Sequence, residues 1–354
     1  MTGRERVLRA IEFRIPDRVP LMNSITAIAR QRDPAAVEDY LRKYPGDFAP
    51  GGERYLDVDR TLPGEQRDKW GCVWRNERPG IIGQVVRHPL ADWSDRATYR
   101  FPEPKDLYDF SAVPATLARN AGRQFSLGPG SWLWQRMFWL RGFENLLCDI
   151  ADERDEVIWL RDNVLRVQKG IVESAIAHGF DGIFFLDDWG TQSALMIRPD
   201  AWRRIFKEAY RELFALVHSA GKKVFFHSDG HVLPIVDDLI EIGADVLNLQ
   251  VGVMDEEKLA AAVRRRATIL GGLDLQGDAL RRDPDTARAH VRALLDRFAA
   301  SAGGYIGQVI MDEQVGPRIA SAIAETIVTY DAEAKGIRGL ATSQVSRPEK
   351  RRTT

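Results

Sequence analysis

Cysteine is scarce in this sequence, where Cys72 and Cys148 are the two among 354 residues. Two thiols cannot form the disulfide framework of small secreted domains, and such a composition is typical of a reducing compartment. Neither cysteine has a C-x-x-C partner or an adjacent basic residue, which disfavours a thiol nucleophile and a thiolate metal site. We expect both to be packing residues of a cytoplasmic protein.

Long apolar runs and an excess of positive charge are also absent. No stretch reaches the roughly 20 apolar residues that a membrane-spanning helix needs. Residues 1–6 lead into an amphipathic segment without the apolar region of a signal peptide. The formal net charge is −1, so there is no basic field to attract nucleic acid or anionic lipid. We therefore expect the partner to be a small-molecule substrate, with no role for membranes or nucleic acids.

Glycine-rich phosphate loops are missing as well, since neither G-x-G-x-x-G nor G-x-x-x-x-G-K-[ST] occurs. This disfavours an open, doubly wound sheet. Short apolar runs instead alternate with amphipathic stretches, as in βα repeats that form a parallel sheet. Strands are predicted over residues 19–22, 124–127, 182–186, 223–227, 244–249, 267–271 and 305–310. Length and strand count favour an α/β protein with a closed (βα)8, TIM-type barrel.

The helices between these strands have recognisable ends. The first of these predicted helices begins after Glu153 and ends at Gly179. The second runs from Pro199 to near Gly221, and the third covers residues 233–242. Before residue 120, segments 70–74 and 83–86 alternate like a β-hairpin. We interpret this N-terminal part as an elaboration over one mouth of a single domain, residues 1–342, and expect residues 343–354 to be disordered.

Candidate catalytic side chains lie where the predicted strands end, because barrel active sites are built from those ends and the loops that follow. His227, Ser228 and Asp229 close one strand, and Gly230 permits a sharp turn. His227 and Asp229 are two residues apart, so they face one side of an extended backbone. They could share a metal or act as a base with its orienting partner. The structural alternative is a core histidine beside a helix cap.

Other strand ends add carboxylates and amides. Asp187 and Asp188 are adjacent and point to opposite sides, so we expect one to enter the barrel mouth and the other to cap a turn. Trp189 could stack on a flat ligand or only cover the barrel. The aromatic run 132–139 predicts either a packing helix or an apolar wall for a flat or methylated substrate. The candidate substrate contacts are Asn23, Trp189, Gln192, His231, Gln250 and Asp274, and the remaining candidate acid is Glu313.

In these segments the sequence resembles the uroporphyrinogen decarboxylase superfamily, particularly its corrinoid-dependent methyltransferases. The resemblance covers most of the chain and implies a (βα)8 barrel, an enzyme and a cobalamin carried by a partner corrinoid protein. It also implies a homodimer, which members of this family often form. The segments that carry it include PDRVP at 16–20, DDWG at 187–190, FHSDG at 226–230 and GGLD at 271–274.

The sequence departs from two well-known patterns of that superfamily. The region that matches the arginine-rich signature of true decarboxylases reads LMNSIT at residues 21–26, so a role in haem biosynthesis is disfavoured. Thiol-activating zinc methyltransferases carry His-x-Cys and a later cysteine, whereas here Asp229 follows His227 and no cysteine comes after Cys148. A thiolate zinc site is thereby excluded. His227 and Asp229, joined by Asp187 or Asp188 and with Glu313 as a further candidate, could still hold zinc through nitrogen and oxygen.

The resemblance and this departure together predict a methyltransferase or demethylase. It would move a methyl group between a small methoxylated or N-methylated substrate and cobalamin. His227 and Asp229 would be the activating pair, and Asp188 and Glu313 the supporting acids. Two alternatives stay open: the same residues could work without a metal, or the enzyme could be a decarboxylase or metal-dependent lyase on a non-porphyrinogen molecule.

Overall fold

The computed structural model describes residues 1–130, 132–273, 283–299 and 303–342. Asp274, Gln276 and the predicted tail at 343–354 lie outside these residues. The strands are β1 Leu21–Ile25, β2 Phe48–Ala49, β3 Arg54–Tyr55, β4 Gly64–Arg67, β5 Val73–Asn76, β6 Gln84–Arg87, β7 Tyr108–Asp109, β8 Phe125–Pro129, β9 Gly182–Leu186, β10 Lys223–Ser228, β11 Val246–Leu249, β12 Thr268–Leu270 and β13 Tyr305–Met311.

Eight of these strands form one sheet in the order β1-β13-β12-β11-β10-β9-β8-β2, and every neighbouring pair in it is parallel. The two ends of this order meet where the Asp47 amide donates a hydrogen bond to the Leu21 carbonyl over 2.8 Å. The sheet therefore closes into a nearly complete barrel. This confirms the predicted (βα)8 barrel and rejects the open sheet.

The predicted strands agree with the observed ones, except at the start of the chain. Those from β8 onward begin and end within two residues of the prediction. β1 begins at Leu21 because Pro20 has no amide hydrogen with which to join the ladder. Sequence analysis missed β2, whose two residues follow Pro45 and Gly46 and carry too short an apolar pattern to be recognised.

One end of the barrel is filled by the helix Gly3–Ile11. Its buried residues Val7, Ala10 and Ile11 pack against the barrel interior, and the interior residues of this cluster are Phe125, Phe225, Val246, Leu270 and Ile306. Thr2 caps the helix in a reciprocal capping box with Glu5. This helix, called here the plug helix, occupies the end of the barrel at which the strands begin. The opposite mouth, where the strands end, is the end at which barrels of this type place their active sites.

The other helices surround the sheet, and apolar side chains fill the space between the two layers. The helix predicted at residues 233–242 is observed as Leu233–Glu241. The predicted helix from Pro199 continues to Ser219 through a π-helical turn at Arg203–Lys207. The helices are Gly3–Ile11, Ala27–Arg32, Pro34–Lys43, Pro104–Leu107, Val113–Asn120, Leu133–Arg141, Phe143–Ala151, Asp155–Ala177, Pro199–Trp202, Glu208–Ser219, Leu233–Glu241, Glu256–Val263, Pro284–Ala299 and Pro317–Thr342, with short 3-10 turns at Trp93–Ala97 and Val251–Val253. In the described parts of the chain, no helix combines the length and apolarity that crossing a bilayer requires.

The N-terminal elaboration consists of two small antiparallel sheets, β4-β5-β6 and β3-β7. The predicted hairpin is the β5–β6 pair, to which the structure adds β4. Buried Asp68 holds this region against the barrel, since its carboxylate accepts hydrogen bonds from the Cys72 amide, the Trp74 indole and the Arg136 guanidinium. Cys72 is buried as expected, whereas Cys148 is exposed, contrary to the packing role predicted for it.

Candidate active site

His227 lies at the end of β10 and points into the barrel mouth. Phe225 belongs to the cluster inside the barrel, and side chains two residues apart on a strand share a face. His227 is therefore one layer nearer the mouth than Phe225. The alternate residues Phe226 and Ser228 are fully buried, and Phe226 packs outward against Tyr210.

A hydrogen-bond network across the barrel determines which nitrogen of His227 carries the proton. His227 Nδ1 lies 2.8 Å from Asn248 Oδ1. The amide nitrogen of Asn248 donates to the Leu270 carbonyl (2.7 Å) and to Gln308 Oε1 (3.1 Å), so its oxygen must face the imidazole. Gln308 in turn donates to Ser24 Oγ over 3.0 Å. Nδ1 is therefore the donor, and the lone pair or second proton of the ring is on Nε2.

Two carboxylates face the Nε2 atom. It lies 3.4 Å from Asp188 Oδ1 and 3.7 Å from Asp229 Oδ1. Asp188 is held by the backbone amide of Asp229 (2.9 Å) and by Gln135 Nε2 (3.0 Å). Asp188, His227 and Asp229, called here the acid–histidine cluster, offer ligand atoms that all lie within 4.8 Å of one another. The predicted alignment of His227 with Asp229 is thus observed, and Asp188 completes the group.

The three groups of the cluster shift one another's proton affinity. Burial lowers the pKa of His227, but the hydrogen bond to Asp188 and the charges of both acids outweigh it, so this pKa lies above its usual value. Burial raises the pKa of Asp188, but contact with His227 more than compensates, and the net pKa is lowered. The pKa of Asp229 is raised by burial and by the charge of Asp188. The arrangement favours a protonated imidazolium of His227 beside a charged Asp188 carboxylate. His227 therefore carries a proton that faces the mouth.

Asp187 does not join this cluster, and its predicted role as a metal ligand is wrong. It is fully buried, and burial raises its pKa to about 7. Its oxygens accept hydrogen bonds from the Leu133 amide (2.7 Å), the Gln135 amide (2.9 Å) and the Tyr210 hydroxyl (2.6 Å). It therefore caps the helix Leu133–Arg141. As expected, one of the two adjacent acids, Asp188, enters the mouth. The other was expected to cap the turn that follows it, but Asp187 instead caps a helix from a distant part of the sequence.

Trp189 is a core residue instead of a substrate contact. It is fully buried, stacks on Trp134 with ring centres 4.7 Å apart, and donates its indole N–H to the Tyr210 hydroxyl over 3.1 Å. Of the two roles predicted for Trp189, stacking on a ligand or covering the barrel, the structure shows the second.

Asn23 is likewise engaged elsewhere. Its amide nitrogen donates to the Tyr44 carbonyl (2.9 Å) and its oxygen accepts from the Tyr40 hydroxyl (2.7 Å). Both groups tie β1 to the helix Pro34–Lys43 on the outside of the barrel, which contradicts a substrate role for Asn23.

Gln250 supports the loop after β10. Its Oε1 accepts a hydrogen bond from the Gly230 amide over 3.0 Å. At Gly230, φ is +79°, and an added Cβ would lie 2.2 Å from the Gly190 carbonyl carbon. Only glycine fits such a position. The loop after β10 is also joined to the loop after β9, because the His231 amide donates a hydrogen bond to the Thr191 carbonyl over 2.7 Å.

Three other predicted residues lie outside the acid–histidine cluster. The His231 side chain is half-buried, and its Nδ1 is buried without a hydrogen-bond partner among the described residues. Gln192 is exposed in the loop that follows β9. Glu313 is exposed in the loop after β13, where its carbonyl accepts a hydrogen bond from Arg32, and the structure does not bring its carboxylate into the cluster.

A cavity of about 180 Å³ lies in the mouth beside this cluster. The Phe184 ring forms part of its wall, and the centre of that ring is 6.5 Å from the centre of the His227 imidazole. Its lining residues, which define the mouth pocket, are Met22, Glu53, Tyr108, Leu127, Gly128, Pro129, Gly130, Trp132, Phe184 and Leu186.

The aromatic run 132–139 packs on the barrel as one of its two predicted roles requires, and its contact with a flat or methylated substrate stays a prediction. Trp132 lines the mouth pocket, whereas Trp134 and Met137 are fully buried. Sequence analysis missed Glu53, Tyr108 and Gln135. The first two lie in short irregular segments without a periodic signal, and Gln135 is one polar residue within an aromatic helix.

A family comparison matches the part of the chain that carries this site. Residues 133–309, half of the chain, match the model of the family described as Uroporphyrinogen decarboxylase (URO-D). The chain belongs to this URO-D family. The matched segment contains β9 to β12 and all three residues of the acid–histidine cluster. The superfamily resemblance noted in the sequence is thereby confirmed.

The fold of one solved structure, a methyltransferase, agrees with this barrel. A methyltransferase from Methanosarcina mazei matches with a TM-score of 0.66 at 15% identity, covering 92% of this chain and 98% of that one. A chitinase from Chromobacterium violaceum has a TM-score of 0.41 at 11% identity, over 87% of this chain and 98% of its own. A 3-keto-D-glucoside 4-epimerase from E. coli has 0.37 at 16%, over 60% and 82%. No curated protein matches the chain.

Proposed function

We propose that this URO-D family member is an enzyme that transfers a methyl group between a small methoxylated or N-methylated substrate and a cobalamin on a partner protein. The observation that carries the proposal is the acid–histidine cluster at the barrel mouth, beside a pocket of small-molecule size. The structural similarity to a protein named a methyltransferase supports it. So does the lack of arginine at residues 21–26, where true decarboxylases have their signature.

The proposed reaction needs a proton at the position of the cluster. In the demethylating direction, the substrate heteroatom keeps both electrons of its bond to the methyl carbon. The methyl carbon gains a bond to cobalt, with two electrons from the Co(I) form of the corrinoid. A methoxy oxygen that leaves in this way must be protonated, and His227 Nε2, paired with Asp188, faces the mouth to supply that proton.

The same side chains fit a zinc ion. One imidazole nitrogen and two carboxylate oxygens lie close enough together to bind one ion, and Asn248 orients the imidazole through its other nitrogen. Asp188, His227 and Asp229 would hold the ion. Zinc bound to Nε2 would replace the proton on that atom, so it is the alternative to proton donation by His227: it would polarise the substrate oxygen and ease its departure.

Anaerobic assay with Co(I) cobalamin and a panel of methoxylated and N-methylated compounds tests this function. We expect loss of the Co(I) absorbance with at least one compound. In His227→Gln we expect a loss of roughly 100-fold in rate, because the nitrogen that donates the proton or binds the zinc ion is removed. His218→Gln is a matched control, since His218 is also paired with a carboxylate, at 2.9 Å from Asp245, but on an outer helix. Unchanged Co(I) across the panel would exclude the proposed function.

Elemental analysis of the same proteins tests the metal. We expect about one zinc per chain in the wild type and in His218→Gln, and loss of zinc in His227→Gln. A metal-free but active wild type would assign the cluster to proton transfer alone.

A further inference from the structure

The mouth pocket has a charge pattern that the methyl-transfer chemistry does not explain. Glu53 is the one ionisable carboxyl among its lining residues, and lysine, arginine and histidine are all absent from that lining. The remaining lining side chains are apolar or aromatic, apart from the Tyr108 hydroxyl. A carboxyl group in such surroundings requires a positively charged or hydrogen-bonding partner.

Within the described residues, no cation pairs with the half-buried Glu53 side chain, and the hydrogen bond that lowers its pKa comes from its own backbone amide. Its Oε2 atom is buried and accepts no hydrogen bond from them. Burial raises the pKa of the Glu53 carboxyl, and no neighbouring cation offsets this effect. A buried acid without a counter-charge costs stability, and a cationic ligand would remove that cost when it binds.

The walls of the mouth pocket are suited to a cation as well. Tyr108, Trp132 and Phe184 contribute three aromatic rings. The Tyr108 and Trp132 rings are joined through Tyr55, at centre distances of 5.1 and 6.3 Å. The faces of such rings carry negative charge density that attracts alkylammonium groups. The Arg60 guanidinium lies 5.3 Å from the centre of the Trp132 ring, but Arg60 is not among the residues that line the mouth pocket.

We propose that the mouth pocket binds a small alkylammonium group of the substrate, with Glu53 as its counter-charge and the three aromatic rings as its walls. The proposal rests on the proposed function and names the substrate class of the same site. When the cationic end of the substrate is held there, its reacting end extends to the acid–histidine cluster. Phe184 connects the two places, because its ring lines the mouth pocket and lies beside the His227 imidazole.

Calorimetric titration of the full-length protein without corrinoid tests this assignment. The probes are choline and its neutral isostere 3,3-dimethyl-1-butanol, which have the same shape and differ in charge. We expect the wild type to bind choline about tenfold more tightly than the alcohol, since the cation gains both the rings and Glu53. Glu53→Gln should weaken choline binding about tenfold and leave alcohol binding unchanged.

Glu65→Gln is the matched control, because Glu65 is exposed in β4 and paired with Arg75. It should bind both probes as the wild type does. Thermal unfolding of Glu53→Gln shows whether the variant is folded, and we expect no decrease in Tm, since an unpaired acid is removed. Equal binding of both probes, binding of neither, or an unaltered choline affinity in Glu53→Gln would each overturn the proposal.

The outcomes separate this inference from the proposed function. Selective choline binding without any methyl transfer would retain the cation pocket and reject the function. Methyl transfer from a compound that carries an alkylammonium group, with an unchanged KM and rate in Glu53→Gln, would retain the function and reject the cation pocket.

Discussion

At the scale of single residues, the proposed function depends most on the orientation of His227. The imidazole has two carboxylates on one side and the Asn248 amide on the other. Because the Asn248 nitrogen is already committed to Leu270 and Gln308, the amide cannot rotate without losing both bonds. The ring is therefore held in one tautomer before any substrate arrives, which reduces the reorganisation needed in the reaction.

Asn248→Leu tests this positioning role. The substitution keeps the volume similar and removes the acceptor for His227 Nδ1, so we expect roughly a 10- to 100-fold loss of kcat and of zinc affinity. The pH profile of kcat should shift as well, because the proton is no longer directed to one nitrogen. Asn145→Ala, an exposed amide on an outer helix, serves as the control. A variant with wild-type kcat and pH profile would show that Asn248 only packs.

The neighbouring acids show how sharply roles can differ between adjacent residues. Asp187 has its two oxygens saturated by three donors in the protein interior, whereas Asp188 faces His227. The two are linked through Gln135, whose backbone amide binds Asp187 and whose side chain binds Asp188. Gln135, in the first turn of the helix Leu133–Arg141, thus contacts both the acid that caps this helix and the acid that faces His227.

At the scale of elements, the helix Gly3–Ile11 stabilises the barrel at a distance from the candidate site. It fills the end of the barrel at which the strands begin, so its contacts lie on the far side of the Phe225 layer from His227. In barrels of this kind, stability is concentrated at that end and catalysis at the other.

Ile11→Ala is predicted to lower the free energy of unfolding by about 3 kcal/mol, because it removes buried apolar volume from the plug. Activity per folded molecule should stay near the wild-type value. Ile15→Ala is the matched control, since Ile15 is 57% exposed and its truncation should be nearly neutral. Urea denaturation and steady-state rates measured below the transition check both statements. A loss of rate equal to the loss of stability would mean that the plug also shapes the mouth.

At the scale of the whole molecule, the seam where the barrel closes is held by charge. Asp47 is buried, and its carboxylate accepts hydrogen bonds from the Leu21 amide (2.7 Å), from Arg18 (2.9 Å) and from Arg6. Arg6 also binds Asp17, with an N–O distance of 2.8 Å at Nη2. The plug helix, β1 and the residue before β2 are therefore joined in one ion-pair network at the seam.

This network predicts a definite pH dependence of stability. The hydrogen bond from Arg6 lowers the pKa of Asp17 from its ordinary value of 3.8 to about 2. A depressed pKa adds stability that is present above the unfolded value and is lost as pH falls through the folded value. Asp17→Asn should therefore be less stable than the wild type at pH 6, and the difference should shrink between pH 4 and pH 2.

Chemical denaturation at a series of pH values measures this difference. Asp39→Asn is the control, because Asp39 is paired with Arg42 on an exposed helical surface, where such pairs contribute little. A stability difference that stays constant from pH 6 to pH 2 would contradict the assigned role of the Asp17 charge.

The sequence by itself determined the barrel and the place of its active site. Apolar runs such as residues 182–186 and 223–227 predict buried parallel strands without knowledge of their neighbours, because burial on both faces requires continuous apolarity. Strand ends and the two-residue period of a strand then suffice to place His227 and Asp229 together at the mouth. These inferences succeed because they depend on residues close together in the chain.

Only the tertiary structure decided which side chains complete the site. Whether Asp187 or Asp188 meets His227 depends on a helix that begins 54 positions away from Asp187 in the sequence. The support from Asn248 and the entry of Glu53 into the pocket depend on barrel closure in the same way. The sequence could place each residue at a strand end or in a loop, but it contains no local pattern for contacts between distant segments. Those contacts arise from the register and curvature of the closed sheet, and they determine what the mouth can bind.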